Sequence, residues 1–214
     1  EVLAPDGSTV FGNAIPDNAI SQLKFAEGSG NTLSNEFSGQ PDATRGDGTN
    51  NQPEWLSNAD YQGGYALDFT ASNNEYVIYD SLHDWIDKDA KATVAVTVNL
   101  DSVTNNTTIG HLIGEDSDGD FVVFAIGVSE SENLGGQIRY DPSPGIVSDA
   151  EGPSASTNRI RLALAFDAAN NTISNMAIDG SEVSFSEGGG NNFTAQAERG
   201  ENVWGGRDGS DAGS

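Results

Sequence analysis

The densest run of metal-type donors is Asp116-Ser117-Asp118-Gly119-Asp120, three carboxylates at alternate positions around a glycine. Hard oxygen ligands at that spacing suit calcium. The run does not complete an EF-hand loop, because the twelfth position counted from Asp116 is Gly127, where that loop needs a bidentate Glu. The plainer reading is an Asp-Gly hairpin turn between two strands. Trp55, Tyr61 and Trp204 stand outside the regular alternation or at its end, where an aromatic ring could stack on a sugar or pack beneath a long loop. Asn105, Asn106, Asn170 and Asn192 each open an Asn-x-Ser/Thr triplet in turn-like sequence, an acceptor for N-glycosylation in an exported chain. Arg45-Gly46-Asp47 is a cell-attachment tripeptide in other settings, but three such residues in a Gly-rich loop recur by chance. Zero cysteines remove disulfides, thiolate catalysis and cysteine-ligated zinc. The two histidines, His83 and His111, have no nucleophile elbow to serve.

The acidic balance limits the partners. Asp and Glu number 33 against nine Lys and Arg, for a formal net charge of −24, and the acids are spread along the whole chain. Such a surface repels nucleic acid and anionic membranes. Three Trp, five Tyr, nine Phe and repeated apolar alternation argue for a folded domain over an acidic disordered chain. Dispersed acidity with only Lys24, Lys88 and Lys91 as lysines suggests work in high salt, where counterions screen self-repulsion. No apolar run approaches the ~18 residues that span a bilayer. No signal peptide opens the chain. With Glu1 first and Met176 the sole methionine, the chain is expected to be a mature product or a piece of something longer.

The elements that must position these residues are strands. Tyr65–Phe69 and Glu75–Tyr79, joined by Thr70-Ala71-Ser72-Asn73-Asn74, read as a hairpin. Ala92–Leu100 alternates most clearly, with Val94, Val96 and Val98 on one face. Further strands are expected at Gln22–Phe25, Thr108–Ile113, Phe121–Val128, Gln137–Tyr140, Arg159–Phe166, Thr172–Ile178, Glu182–Phe185 and Asn202–Trp204. Asp118-Gly119, Asp179-Gly180 and Gly188–Gly190 supply turns. Residues 31–62 are polar and loop-like, Ser81–Asp89 has room for one or two helical turns, and 1–20 reads as an arm or linker with a short strand at Thr9–Phe11. Many short strands and almost no helix predict an all-β fold, an antiparallel jelly-roll sandwich of two packed sheets.

The order of features resembles the laminin-G-like or concanavalin A-like lectin/glucanase family. Leu23-Lys24-Phe25-Ala26-Glu27-Gly28-Ser29-Gly30 is similar to its opening strand and turn, and Gly63-Gly64-Tyr65-Ala66-Leu67-Asp68-Phe69 with Asn74-Glu75-Tyr76-Val77 to its most recognisable segment. Arg161–Asp167 with Ala177-Ile178-Asp179-Gly180 resembles its late hairpin. The resemblance covers about residues 20–208, and the sandwich would run over 21–214. The family's closing strand is missing after Val203-Trp204-Gly205-Gly206-Arg207-Asp208-Gly209, so the resemblance implies an open sheet edge. The 1–20 arm or a neighbouring chain could complete it.

Catalytic members of that superfamily hydrolyse or cleave polysaccharides. This chain has no strand with acids at alternate positions, and its clusters at 115–120 and 129–132 are turn-like. A lyase would gather His, Tyr, Arg and Gln on the concave sheet, for which His111, Gln137, Arg139 and Tyr140 are the only candidates. The resemblance therefore implies a non-catalytic recognition or adhesion module, extracellular, on a cell or virion surface, whose partner is a glycan or cell-surface ligand. Trp55, Tyr61, His111 and Trp204 are the candidate ligand residues, and Asp116, Asp118 and Asp120 the candidate calcium ligands. A structural subunit completed by self-association or a partner's strand is the alternative; a polysaccharide hydrolase or lyase comes third.

Overall fold

The structure, a computed structural model, describes residues 19, 21–46, 51–57, 64–70, 73, 75–79, 91–103, 107–115, 121–141, 146–167, 169–188 and 202–204. At 79, 107–108, 111–115, 121–123, 139–141, 146–147 and 202–204 it describes the backbone alone. The strand expected at Thr9–Phe11 and the helical turns expected at Ser81–Asp89 lie outside the described residues.

The fold is all-β. Its strands are β1 (Thr32–Leu33), β2 (Ala43–Arg45), β3 (Glu54–Ser57), β4 (Tyr65–Asp68), β5 (Val77–Tyr79), β6 (Lys91–Asn99), β7 (Thr107–Glu115) and β8 (Phe121–Val128). They continue with β9 (Asn133–Asp141), β10 (Ile146–Ser154), β11 (Arg159–Asp167), β12 (Thr172–Ile178), β13 (Ser181–Glu182), β14 (Ser186–Gly188) and β15 (Asn202–Trp204). The described residues fall into two compact units, one within His83–Ala197 and the other within Asn18–Leu82 and Glu198–Ser214. No helix among the described residues is long and apolar enough to cross a membrane.

The first unit is a sandwich. One layer is the antiparallel run β7-β8-β9-β10-β14, and the other is the four-stranded sheet β13-β12-β11-β6. In the second layer all nine residues of β6 pair in register with β11, from Lys91↔Asp167 to Asn99↔Arg159. Alternation sends Ile160, Leu162, Leu164 and Phe166 of β11 inward, where they meet Phe124, Ile126, Leu134 and Ile138 from β8 and β9. The rings of Phe124 and Phe166 stack across the layers, 4.5 Å between centroids and 9° between planes. At two glycines there is no room for a side chain. A Cβ on Gly136 would lie 2.4 Å from Leu164 Cδ1 and 2.5 Å from the Ala125 carbonyl oxygen; on Gly152 it would meet Met176 Sδ at 2.4 Å.

β10 is a strand that local sequence conceals. Ile146-Val147-Ser148-Asp149-Ala150-Glu151-Gly152-Pro153-Ser154 is poor in strand formers, yet it lies between β9 and β14 and pairs with both. Its register shifts between Glu151 and Ser154, which places Pro153, with no N–H to offer a ladder, at the irregularity. Elsewhere the turns follow expectation. Asp179 and Gly180 join β12 to β13 with φ of 50° and 81°, as a two-residue hairpin turn requires.

In the second unit the expected hairpin of Tyr65–Phe69 with Glu75–Tyr79 does not form. β4 pairs with β3, while β5 pairs with β2 and β15, so the chain passes from one sheet to another between them. The turn chemistry itself is present: Asn73 N donates to Thr70 O at 2.9 Å, and the buried Glu75 carboxylate accepts from Thr70 N and Asn73 Nδ2. Both strands form, but the partner of β4 is β3, inside a stretch expected to be loop, and burial along β4 does not alternate. The expected strand Gln22–Phe25 shrinks to one bridge, Leu23↔Asn35. Phe25, at φ 53°, has left the extended region.

At the β11–β12 turn Asp167 is almost buried and joins Lys91 Nζ at 2.8 Å, Asn170 Nδ2 at 2.9 Å and Asn170 N at 3.2 Å. Hydrogen bonds from Lys91 and then Asn170 hold its carboxyl below the ordinary carboxylate range against the opposing effect of burial.

Two predictions follow from these contacts. Gly136→Ala is expected to destabilise by about 1–3 kcal/mol or more, since its obstacle includes the Ala125 backbone. Gly152→Ala should cost less because the Met176 side chain can swing aside; thermal melts of both variants check the order. Because Asp167 titrates lower when folded, its ionised contribution is complete above the ordinary carboxylate value and is lost as pH falls through the folded value. Asp167→Asn is therefore expected to melt below wild type at neutral pH, with the gap closing under acid.

Candidate functional site

The second unit gathers an aromatic and cationic cluster from segments far apart in sequence. Trp55 on β3 and Tyr65 on β4 occupy one face of that pair, because the register sets Trp55 opposite Leu67 and Ser57 opposite Tyr65. Their rings meet edge to face, 6.3 Å apart at 81°. Gly28 lies against the Tyr65 ring: it has φ 66°, and a Cβ there would stand 2.4 Å from Tyr65 Cζ. A side chain at that point would both strain the backbone and displace the ring.

Arg45, the last residue of β2, places its guanidinium over Trp55 with Cζ 5.6 Å from the ring centroid. Arg45 Nη2 donates to Asn31 Oδ1 and Gln52 Oε1, each at 3.3 Å. Both acceptors are fixed by backbone. Arg45 N donates to Asn31 O at 2.8 Å, and Trp55 Nε1 to the neighbouring Gly30 O at 3.1 Å. Asn51 takes φ 60° and its carbonyl accepts from Tyr76 N at 3.1 Å, which anchors the turn that carries Gln52. Beneath this cluster Leu33, Ala43 and Val77 form a small buried core.

The charge environment of Arg45 differs from that of the two described lysines. Lys24 pairs with Glu36 at 2.7 Å and Lys91 with Asp167, but no described carboxylate pairs with Arg45. Its Nε is buried and has no hydrogen-bond partner. A half-buried guanidinium held only by neutral amides and a ring keeps most of its capacity for an anion. Asp47, the third residue of the tripeptide, lies outside the described residues.

The candidates named from sequence are divided by this geometry. Trp55 belongs to the cluster, but as a support: its indole N–H goes to Gly30 and a ring face to Arg45. Tyr61, Asp116, Asp118, Asp120, Asn105, Asn106 and Asn192 lie outside the described residues. Trp204 pairs with Val77 through the backbone of β15. Asn170 is exposed at the β11–β12 turn, with its amide nitrogen on Asp167. His111 of β7 pairs with Ala125, Ala125 with Gln137, and Gln137 with Asp149, one row across four strands. Arg139 and Tyr140 follow Gln137 along β9, two and three residues on. Gln137 Nε2 donates to Asp149 Oδ1 at 2.8 Å, and these residues are 4% and 0% exposed. Gln137 and Asp149 are thus enclosed and paired with each other.

Sequence reasoning missed Asn31, Gln52 and Tyr65 as site residues and passed over Arg45. The one available signal was scarcity, since a lone arginine in a polar stretch stands out in a chain with nine basic residues. Neither family models, curated proteins nor solved structures match this chain. Its functional reading therefore rests on its own residues.

The order of dependence within the cluster is open to measurement. Trp55→Phe keeps a ring beneath Arg45 but loses the bond to Gly30 O, an expected cost of about 0.5–1.5 kcal/mol. Gly28→Ala, strained in φ and overlapping Tyr65, should cost more. Denaturant unfolding followed by tryptophan fluorescence compares the two.

Proposed function

We propose that this chain is a non-catalytic recognition module, a lectin-like jelly-roll sandwich of the kind its sequence resembles, exported to a saline exterior and displayed on a cell or virion surface. Its ligand is a glycan or a cell-surface group, received at the Arg45–Trp55 cluster. The observation that carries this reading is a guanidinium braced by Trp55, Asn31 and Gln52 and joined to no described carboxylate. Planar donors beside amide side chains are the functional groups that read hydroxyl and carboxylate patterns on sugars. The buried described acids support the same view, because Glu75 and Asp167 are committed to turns and Asp149 to Gln137. The alternative is a structural subunit completed by strand addition. It draws on β6, the edge of its sheet among the described residues, which offers nine residues in unbroken register.

A polysaccharide and cell-surface panel in concentrated salt tests the proposal. Saturable binding without release of reducing ends or unsaturated products is the expected result, with binding reduced in Arg45→Gln. Product release would identify an enzyme. Concentration-dependent assembly without any ligand would favour the structural subunit.

A further inference from the structure

We infer that the ligand of this site is anionic, a sugar chain whose rings carry carboxylate or sulfate groups, and that Arg45 is the residue that reads the charge. This rests on the recognition reading above and names the class of ligand within it.

With 33 acidic side chains against nine basic ones, a carboxylate is the commonest charged neighbour a cation could find. Lys24 and Lys91 each have one, although the Lys91 side chain is 70% exposed. Arg45 is more enclosed than Lys91, and enclosure raises the cost of leaving a charge unpaired. The fold nevertheless surrounds it with two neutral oxygens at 3.3 Å, near the long end of hydrogen-bond distances, and a Trp face. Those contacts fix the plane of the guanidinium without neutralising it. Among the described residues only Nη2 finds acceptors; Nε is enclosed, so the edge formed by Nη1 and Nη2 is the one left to meet a ligand. A planar fork, already oriented and short of acceptors, matches the two oxygens of a carboxylate or a sulfate ester. Neutral hydroxyls would leave its charge uncompensated.

The position is also built, not incidental. Asn31 and Gln52 approach from opposite sides in sequence, each tied down by a backbone hydrogen bond at or beside it, and Trp55 is locked by its indole N–H. Three residues from two separate segments, Asn31 on one and Gln52 and Trp55 on the other, thus converge on one cation. A lysine would hold the charge but not the plane or the fork.

The test uses matched polymers on the intact chain: polygalacturonate against its fully methyl-esterified form, and a sulfated galactan against its desulfated form. Wild type is expected to bind at least one charged member about ten- to a hundredfold more tightly than its neutral counterpart, the range a charge-assisted hydrogen bond supports. The preferred pair tells carboxylate from sulfate. Arg45→Gln is expected to erase that preference. Arg45→Lys, which keeps the charge if the Gln variant fails to fold, should fall between. Equal binding of charged and neutral partners by wild type, or a preference that survives in Arg45→Gln, overturns the anionic assignment while leaving the recognition module standing. Absence of binding to every polymer and to the cell-surface panel overturns both.

Discussion

Mutual repulsion among 33 carboxylates is the constraint to which the rest of this structure answers. Nine basic side chains cannot neutralise it, so stability must come from burial of apolar faces and from carboxylates used as local acceptors. Both devices are visible. The first unit closes two layers over Phe124, Phe166, Leu162 and Leu164, with glycine at Gly136 where the layers approach too closely for a side chain. Glu75 caps a turn, Asp179 accepts from Arg161 N, and Asp167 gathers Lys91 and Asn170. A carboxylate held by backbone and amide donors is stabilised without a counterion, which is how a chain short of cations can order its turns.

The sequence revealed strands where alternation was strong. Phe121–Val128, Thr172–Ile178 and Asn202–Trp204 have the expected bounds, and the valine row of β6 faces inward as expected. It failed where tertiary pairing overrode local preference. β10 is a strand because β9 and β14 hold it from both sides, and its Asp149 is tolerated in the interior because Gln137 supplies a donor. β1, β2 and β3 are too short and polar to announce themselves, and each exists through a partner distant in the chain. The misread hairpin has the same origin: local turn chemistry was correct, but a turn does not dictate which strands it joins.

The site was less legible than the fold. Trp55 could be named because large aromatics stand out in polar sequence, yet its role in gripping Gly30 and supporting Arg45 depends on the β3–β4 register and on β2 lying within reach. Tyr65 was counted among packing residues, and its contacts with Trp55 and Gly28 are packing contacts within the cluster. Asn31 and Gln52 carry no signal at all, since amides are common in these loops and only the fold brings two of them to one nitrogen. His111, Gln137 and Arg139 share one stretch of sheet through the registers of β7, β8 and β9, and Gln137 is buried there against Asp149.

An acidic surface and a site for anionic ligands look incompatible until range is considered. At low ionic strength a net charge of −24 would hold an anionic polymer away before any contact formed. In salt near 1 M the screening length falls to about 3 Å, so the long-range repulsion vanishes while a contact ion pair, shorter than that length and partly shielded from solvent, persists. On the proposed reading the general charge would no longer exclude an anionic chain under those conditions, and the Arg45 guanidinium would act on it only at contact. Dispersed acid and the proposed site would then operate at different distances.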